Sequence, residues 1–560
     1  MKEKRWKTWW ERERGTCLKA LLLACLPVIA CLVYCAARGQ GIGEIYLPAS
    51  ERNDELIYYK QVEAILRYGY PQGYFGFNES HALKLSFAAW SPLLMLPWVL
   101  WGLLFGWNLM SPVLCNIFLL TAAMFLFGLL AKPDWKQLGI TAFLFFLFLP
   151  FSWYMLCGMP ETVCFSLLIV FYGAAAGFLR KKSGAFLGVM FALAALLTMM
   201  RPYLFLFLLL PAYFWIFGVN GGKKEISGGA SRNPAAERGF CRSAAARWKP
   251  VLGTIVIFGA TFGAYAWISH FLAAEYFRPL FDMHWLTAFF ERGLAGGIRN
   301  FFGTLYYSGL EFLRYMRQGV ESGLAAGSIF CCYIVALLVL LCQSLRDLVS
   351  RRRLKAEGEE PGELAGKLVL EAHLSLSFAA MLGAVLLMCN FHDGCKHLLG
   401  FLVVGILVIA GMRTQYFKKA VLVGVVFAWF FFYHGAGFEA YEPDFWNEET
   451  ARRLELFSEA VEKEMVVTGD FVPNYDNTVI WVLADELPQG MVYTGWQYLY
   501  SLPAGFGISC CGGDYVTEHF ETLRSRYLCV VPGGPIEERC LQTGYEKIAG
   551  NEYAVLYRRY

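Results

Sequence analysis

The sequence predicts an α-helical polytopic membrane protein with a small C-terminal extracytoplasmic α/β domain. Three observations carry that expectation. The 560 residues are 57% hydrophobic and 17% aromatic but only 17% charged, against roughly 45–50% apolar and about 25% charged in an ordinary soluble domain. The apolar residues come in blocks close to the roughly 20 that a helix needs to cross a bilayer. The tail from position 437 onward mixes charge, Gly, Pro and short apolar runs. This balance excludes a soluble enzyme, a nucleic-acid-binding protein and a disordered scaffold. A net charge of +4 is too small to imply a polyanionic partner, so the positions of Lys and Arg matter more than their sum.

The first block, 17–36, follows a basic leader (Lys2, Lys4, Arg5, Lys7, Arg12, Arg14). It is long for a signal peptide and lacks a clear small-residue cleavage site, so it reads as a retained anchor with a cytoplasmic N-terminus. Later blocks fall at 87–106, 109–131, 138–156, 162–179, 185–200, 203–218, 251–273, 327–343, 369–389, 398–412 and 420–436. The strongly basic connections are Arg180-Lys181-Lys182, the loop 219–250, Arg351-Arg352-Arg353 with Lys355, and Arg413 with Lys418-Lys419. If 87–106 crosses the membrane, all of them land outside. If it lies in the interface or turns back, all land inside, as the positive-inside rule requires. Pro92 and Pro97, with Trp90, Trp98, Trp101 and Trp107, suit a kinked interfacial segment. About 11 transmembrane helices plus this interfacial or re-entrant segment are therefore expected.

That topology divides the chain into a membrane domain, 1–436, and a soluble domain, 437–560. The loop 219–250 is cytoplasmic and reads as flexible. On the extracytoplasmic side stand loop 37–86, turn 157–161, Arg201-Pro202, loop 274–326, turn 390–397 and the tail. In the tail, Ala451–Glu464 reads as an amphipathic helix. The runs Thr478–Ala484, Tyr527–Val531 and Tyr553–Tyr557 read as strands. Most of the 17 cysteines lie in apolar blocks, where a free Cys behaves as a small hydrophobe. A bridge among Cys510, Cys511, Cys529 and Cys540 stays open. No internal repeat is evident, which weakens a transporter of two symmetric halves.

The candidate chemistry gathers on that outer side. Asp54-Glu55 precedes an amphipathic helix, Leu56–Leu66; an acid there is either a favourable helix start or a general base or metal ligand at the membrane surface. Adjacent helical positions cannot both face one substrate, which puts Asp54 first. Glu161, after Gly158-Met159-Pro160, opens another helix. Arg201-Pro202 interrupts a nearly seamless apolar stretch, and an Arg at that depth needs a partner, either a carboxylate such as Glu161 or a lipid phosphate. The turn His392-Asp393-Gly394-Cys395-Lys396-His397 is dense in titratable groups: Lys396 and His397 suit an anion, while a metal on His392, Asp393 and His397 stays open. His81 and Lys84 would meet a phosphate or merely snorkel to headgroups. The helix around Phe301–Tyr315 reads as interfacial.

These patches resemble the GT-C superfamily of polytopic glycosyltransferases, nearest its protein O-mannosyltransferase and aminoarabinose transferase branch. The likeness rests on Asn53-Asp54-Glu55-Leu56-Ile57-Tyr58-Tyr59, Tyr68-Gly69-Tyr70-Pro71-Gln72-Gly73-Tyr74, Ala89-Trp90-Ser91-Pro92, Gly158-Met159-Pro160-Glu161-Thr162, Thr198-Met199-Met200-Arg201-Pro202-Tyr203 and residues 392–401, taken in order. The resemblance implies transfer of a hexosyl or pentosyl group, with inversion, from a polyprenyl-phosphate-linked sugar to an extracytoplasmic glycan, lipid or protein of the cell envelope. In that scheme Asp54, with Glu55, would deprotonate the acceptor. Lys84, Arg201, Lys396 and His397 would hold the donor phosphate, and His81, Glu161, His392 and Asp393 would line the site. The resemblance fixes no cofactor, and a divalent metal stays open. Membrane lipids are the other expected partner. The competing readings are a flippase or transporter of lipid-linked saccharides, a polysaccharide polymerase or ligase using loop 274–326, and a membrane scaffold.

Overall fold

The computed structural model describes residues 2–37, 39–47, 54–69, 71, 75–79, 91–147, 155–156, 158–217, 244–272, 284–321, 361–388, 395–411, 444–445, 448–465, 475–483 and 500–560, with single positions at 334, 338, 342 and 346. The described chain is mostly helical with a small C-terminal sheet. Among the described residues, five helices are long and apolar enough to cross a membrane, at Glu13–Ala36, Ser111–Ala131, Glu161–Lys181, Trp248–Phe271 and Gly366–Met388. The blocks 327–343 and 420–436 lie outside the described residues but for single positions in the first. So does most of loop 219–250.

Helix α1 (Lys2–Ala37) packs against α4 (Ser111–Ala131), with α2 (Asp54–Tyr68) and α3 (Leu96–Phe105) between them in sequence. The register of α1 on α4 fixes their directions. A Cβ on Gly128 would touch the backbone of Ala20, Lys132 Nζ meets a Glu13 carboxylate oxygen at 2.5 Å, and Lys19 Nζ donates to the Pro133 carbonyl. The two helices are therefore antiparallel, and the chain between them starts and finishes at one end of the bundle. Helix α3 stays at that end, because Trp98 Nε1 donates to Asn116 Oδ1 at 3.0 Å, near the start of α4. The short helix ends with Leu103, Leu104 and Phe105 exposed at 68–75%.

The other helices alternate between the same two ends. Helix α5 (Trp135–Leu147) leads away from the Lys132 end, and α6 (Glu161–Lys181) returns to it, where Arg180 donates to the Leu130 carbonyl. Helix α7 (Gly184–Met200) runs back and stops at Arg201. Residues before Pro are pushed out of helical geometry, and Arg201 takes φ −144° and ψ 107°. Pro202–Leu208 continues as a 3₁₀ turn into α8 (Leu209–Phe217), which folds back along α7, with Phe191 against Trp215. Helix α9 (Ala244–Leu272) is apolar all round and exposes Ile255, Val256, Trp267 and Phe271, the pattern of a helix facing hydrocarbon. Helices α10 (His284–Glu291) and α11 (Gly293–Glu321) are amphipathic, with Phe290, Leu294, Phe302 and Tyr306 outward. Helix α12 (Pro361–Met388) and α13 (Leu399–Gly411) complete the described bundle.

The C-terminal residues form a six-stranded sheet in the order β2-β5-β4-β6-β8-β7. Its strands are β4 (Thr478–Leu483), β5 (Gly507–Gly512), β6 (Tyr527–Val530), β7 (Glu546–Gly550) and β8 (Val555–Arg558), joined by an edge strand from far away, β2 (Phe75–Phe77), in parallel register with Ile508–Cys510. The turn after β2 is held by Glu79, only 2% exposed. Its carboxylate accepts the amide hydrogens of Arg524, at 3.0 and 3.1 Å, and Ser525, at 2.5 Å. Those charge-assisted bonds offset its unusual φ of +54°. A second tie pairs β1 (Ile45–Leu47) with β3 (Asp444–Phe445). Where one helix was expected over 451–464, the chain forms α14 (Glu448–Leu454), a 3₁₀ turn and α15 (Glu459–Glu464). Strands β5 and β7 have no counterpart among the expected strands; β5 reads Gly-Ile-Ser-Cys-Cys-Gly, too rich in small residues for a strand signal.

Helix α2 is buried on two sides. Tyr58 and Val62 join the core of the bundle, while Leu56, Ile57 and Tyr59 join Leu456, Phe457, Trp481 and Cys510 under the sheet. Lys60, 2% exposed, locks this arrangement by donating to the Tyr500 carbonyl at 3.1 Å, to the Leu502 carbonyl and to Glu63. Replacing it with Met should leave two buried carbonyls without their charged donor. The cost is about 3 kcal/mol, read as a lower thermal unfolding midpoint of the full-length protein in detergent. An unchanged midpoint would mean that the lysine is solvated.

Candidate functional site

At the end of the bundle opposite Lys132 and Arg180, polar side chains link helices that are otherwise held by apolar contact. Asn116, fully buried on α4, accepts from Trp98 and donates through Nδ2 to the Met159 carbonyl at 2.9 Å. That carbonyl belongs to the Gly158-Met159-Pro160 turn. Pro160 caps α6, and Glu161 is its first residue, where the helix dipole favours a negative charge. Glu161 Oε1 receives Arg201 Nη2 at 2.6 Å, with side-chain exposures of 4% and 0%. This is the carboxylate partner that an arginine inside an apolar stretch requires. Two sharp helix ends create it: Pro160 starts α6 and Pro202 turns Arg201 out of α7.

The cluster continues on both sides. Tyr203 lies edge-on to His397, ring centroids 5.2 Å apart, with His397 Nδ1 3.4 Å from the phenol oxygen. His397 comes from a 3₁₀ turn, Cys395–Leu398, that leads into α13. Tyr58 of α2 stands within electrostatic reach of the Arg201 guanidinium, as Tyr203 does. Asp54 is the first residue of α2, one turn before Tyr58, so the two positions share a helix face. Glu55, next on the helix, is 2% exposed.

Of the sequence-derived candidates, the structure brings Glu161, Arg201 and His397 together and sets the start of α2 at the same end. His81, Lys84, His392 and Asp393 lie outside the described residues, as do the side chains of Asp54 and Lys396. The metal site left open on His392, Asp393 and His397 falls mostly on those positions; among the described residues, no cluster of three His, Cys, Asp or Glu could hold a metal ion. Four residues outside the expected site turn out to organise it. Asn116 is an amide inside an apolar helix, a signal that could have been read. Tyr203 stands beside Arg201 in sequence. Lys60 and Glu79 carry no local signal of their part in tying the domains together, because the Tyr500 carbonyl and the Arg524 amide they bond lie more than 400 positions away.

Cys510, Cys511, Cys529 and Cys540 are all free and buried. Burial pushes the Cys511 thiol up to about 11 and Cys540 up to about 12. The thiolate is the reactive form, so raising the pH from 7 to 9.5 should hardly speed maleimide labelling of these two in the folded protein, whereas denaturant should expose them at once. A labelling midpoint near the ordinary thiol value would contradict their burial.

No family model, curated protein or solved structure matches the chain.

Proposed function

We propose that the chain is an integral membrane glycosyltransferase of GT-C type, moving a sugar from a polyprenyl-phosphate donor to an acceptor outside the cell. The observation that carries this reading is the convergence of the Asp54 end of α2 with Glu161, Arg201, Tyr203 and His397 at one end of an apolar bundle. The other end collects Lys19, Lys132, Lys136, Arg180, Lys181 and Lys182, which the positive-inside rule assigns to the cytoplasm. That makes the Arg201 end extracytoplasmic and leaves 87–106 on the outer side, as the antiparallel pairing of α1 and α4 supports. Eleven spans fit the same alternation. The end of α13 and strand β3 stand at opposite ends, and the apolar block 420–436 lies between them in sequence.

In this scheme Asp54 takes the proton of the acceptor hydroxyl as that oxygen attacks the anomeric carbon. The donor's phosphate leaves with the bonding pair. A phosphate needs charge neutralisation rather than protonation, which falls to Lys84, Lys396 and His397. Arg201 is enclosed and engaged by Glu161, so its part is to hold Tyr203 and the start of α6 in place. The soluble domain, tied down by β2 and Lys60, forms the roof. The scarcity of charge between the two ends favours surface chemistry over a route across the bilayer. Mass spectrometry of surface glycans from cells with and without the protein should show loss of one sugar residue; identical glycans would remove the proposal.

A further inference from the structure

A cavity of about 300 Å³ opens at the basic end, far from the cluster just described. Its rim carries Lys132, Arg180 and Lys367, and its floor is apolar, with Phe127, Leu179 and Leu407. Each helix supplies what its sequence dictates there. Lys132 and Arg180 are the basic ends of two apolar helices, α4 and α6, and Lys367 lies in the second turn of α12. The volume is at the lower bound of small-ligand sites. The acids nearby do not cancel the rim: Glu371 also lines the cavity, and Glu13 engages Lys132 from behind at 2.5 Å. Among the described residues, three cations and one carboxylate line the cavity, a second carboxylate pairs with Lys132, and Lys181 and Lys182 follow Arg180 immediately in the chain.

A cationic rim over an apolar floor, at the end of helices that are apolar along their length, matches an amphiphile with an anionic head. We infer that this cavity binds the phosphate of an anionic phospholipid, with Arg180 and Lys367 gripping the headgroup and the apolar floor taking the first part of a chain. The inference rests on the membrane reading but not on the transferase, since the site lies at the opposite end from Asp54. Arginine supplies a two-pronged grip on phosphate oxygens, and lysine adds a point charge. Thr141 and Gln137 offer neutral polar groups on the same wall.

The test is native mass spectrometry of the full-length protein in detergent with equal amounts of phosphatidylglycerol and phosphatidylcholine added. The wild type should retain phosphatidylglycerol preferentially. Arg180→Gln combined with Lys367→Gln should weaken that retention roughly tenfold, while Arg452→Gln, on the soluble domain, should not. Equal retention of the two lipids by the wild type overturns the site without any variant, and so does an unchanged preference in the double variant. Thermal stabilisation by inorganic phosphate alone, lost in the double variant, would assign the cavity to a soluble anion and overturn the lipid. Loss of sugar transfer has no bearing on either result, so this inference and the proposed function fail separately.

Discussion

Arg201→Ala should destabilise the protein more than any other single substitution on the membrane side. The guanidinium and the Glu161 carboxylate are 2.6 Å apart and enclosed at 0% and 4% exposure, so removing one leaves the other as a buried charge. That typically costs about 3–5 kcal/mol, a large share of the roughly 5–15 kcal/mol by which folded domains are stable. Glu161→Ala should cost about as much, for the mirror-image reason. The pair's desolvation consumes most of its attraction, so Arg201→Met with Glu161→Leu should recover much of the loss. Yield and unfolding midpoint in detergent give the cycle directly. If Arg201→Ala is as stable as the wild type, the pair is solvated. The double variant also decides the arginine's role: folded and active, it leaves phosphate binding to Lys84, Lys396 and His397; folded and inactive, it returns Arg201 to the donor.

Asp54→Asn should abolish sugar transfer and leave the fold intact. Asn keeps the shape but gives up the charge's interaction with the helix dipole, worth about 0.3–1 kcal/mol, so stability should fall by no more than about that amount. What it loses is basicity, and loss of a positioned general base costs about 10²–10⁴-fold in rate. The comparison with Glu55→Gln is informative because the neighbouring Glu55 is buried at 2% exposure. Glu55 is buried, so its substitution should lower stability first. Full activity of Asp54→Asn would take that residue out of the mechanism. A stable, active Glu55→Gln would mean that its burial does not require the charge.

Much of the bundle was legible because apolar length and proline placement are local properties. Pro202 forces Arg201 out of its helix whatever surrounds it, and an arginine in an apolar run demands a counter-charge. The sequence left that counter-charge open between a carboxylate such as Glu161 and a lipid phosphate; the structure gives Glu161. The expectation that 87–106 does not run the length of the bundle agrees with α3, which stays at the end where α4 starts. The soluble domain was harder. Strand β5 lacks branched and aromatic residues except Ile508, and strand β7 is largely exposed, so neither has the alternation that marks a strand. The expected 451–464 helix breaks at Ser458, which caps a new helix rather than continuing the old one.

The sequence by itself determined the apolar helices, their kinks and the sorting of basic from titratable groups onto two ends, since each depends on neighbours within a few residues. Only the tertiary structure decided that residues 75–79 complete a sheet formed from 478–558, that α2 is shared by two cores, and that Lys132, Arg180 and Lys367 frame one cavity. Those arrangements depend on contacts between distant parts of the chain. No local rule encodes them, because a strand edge, a buried lysine or a ring of cations is made by whatever the fold brings alongside.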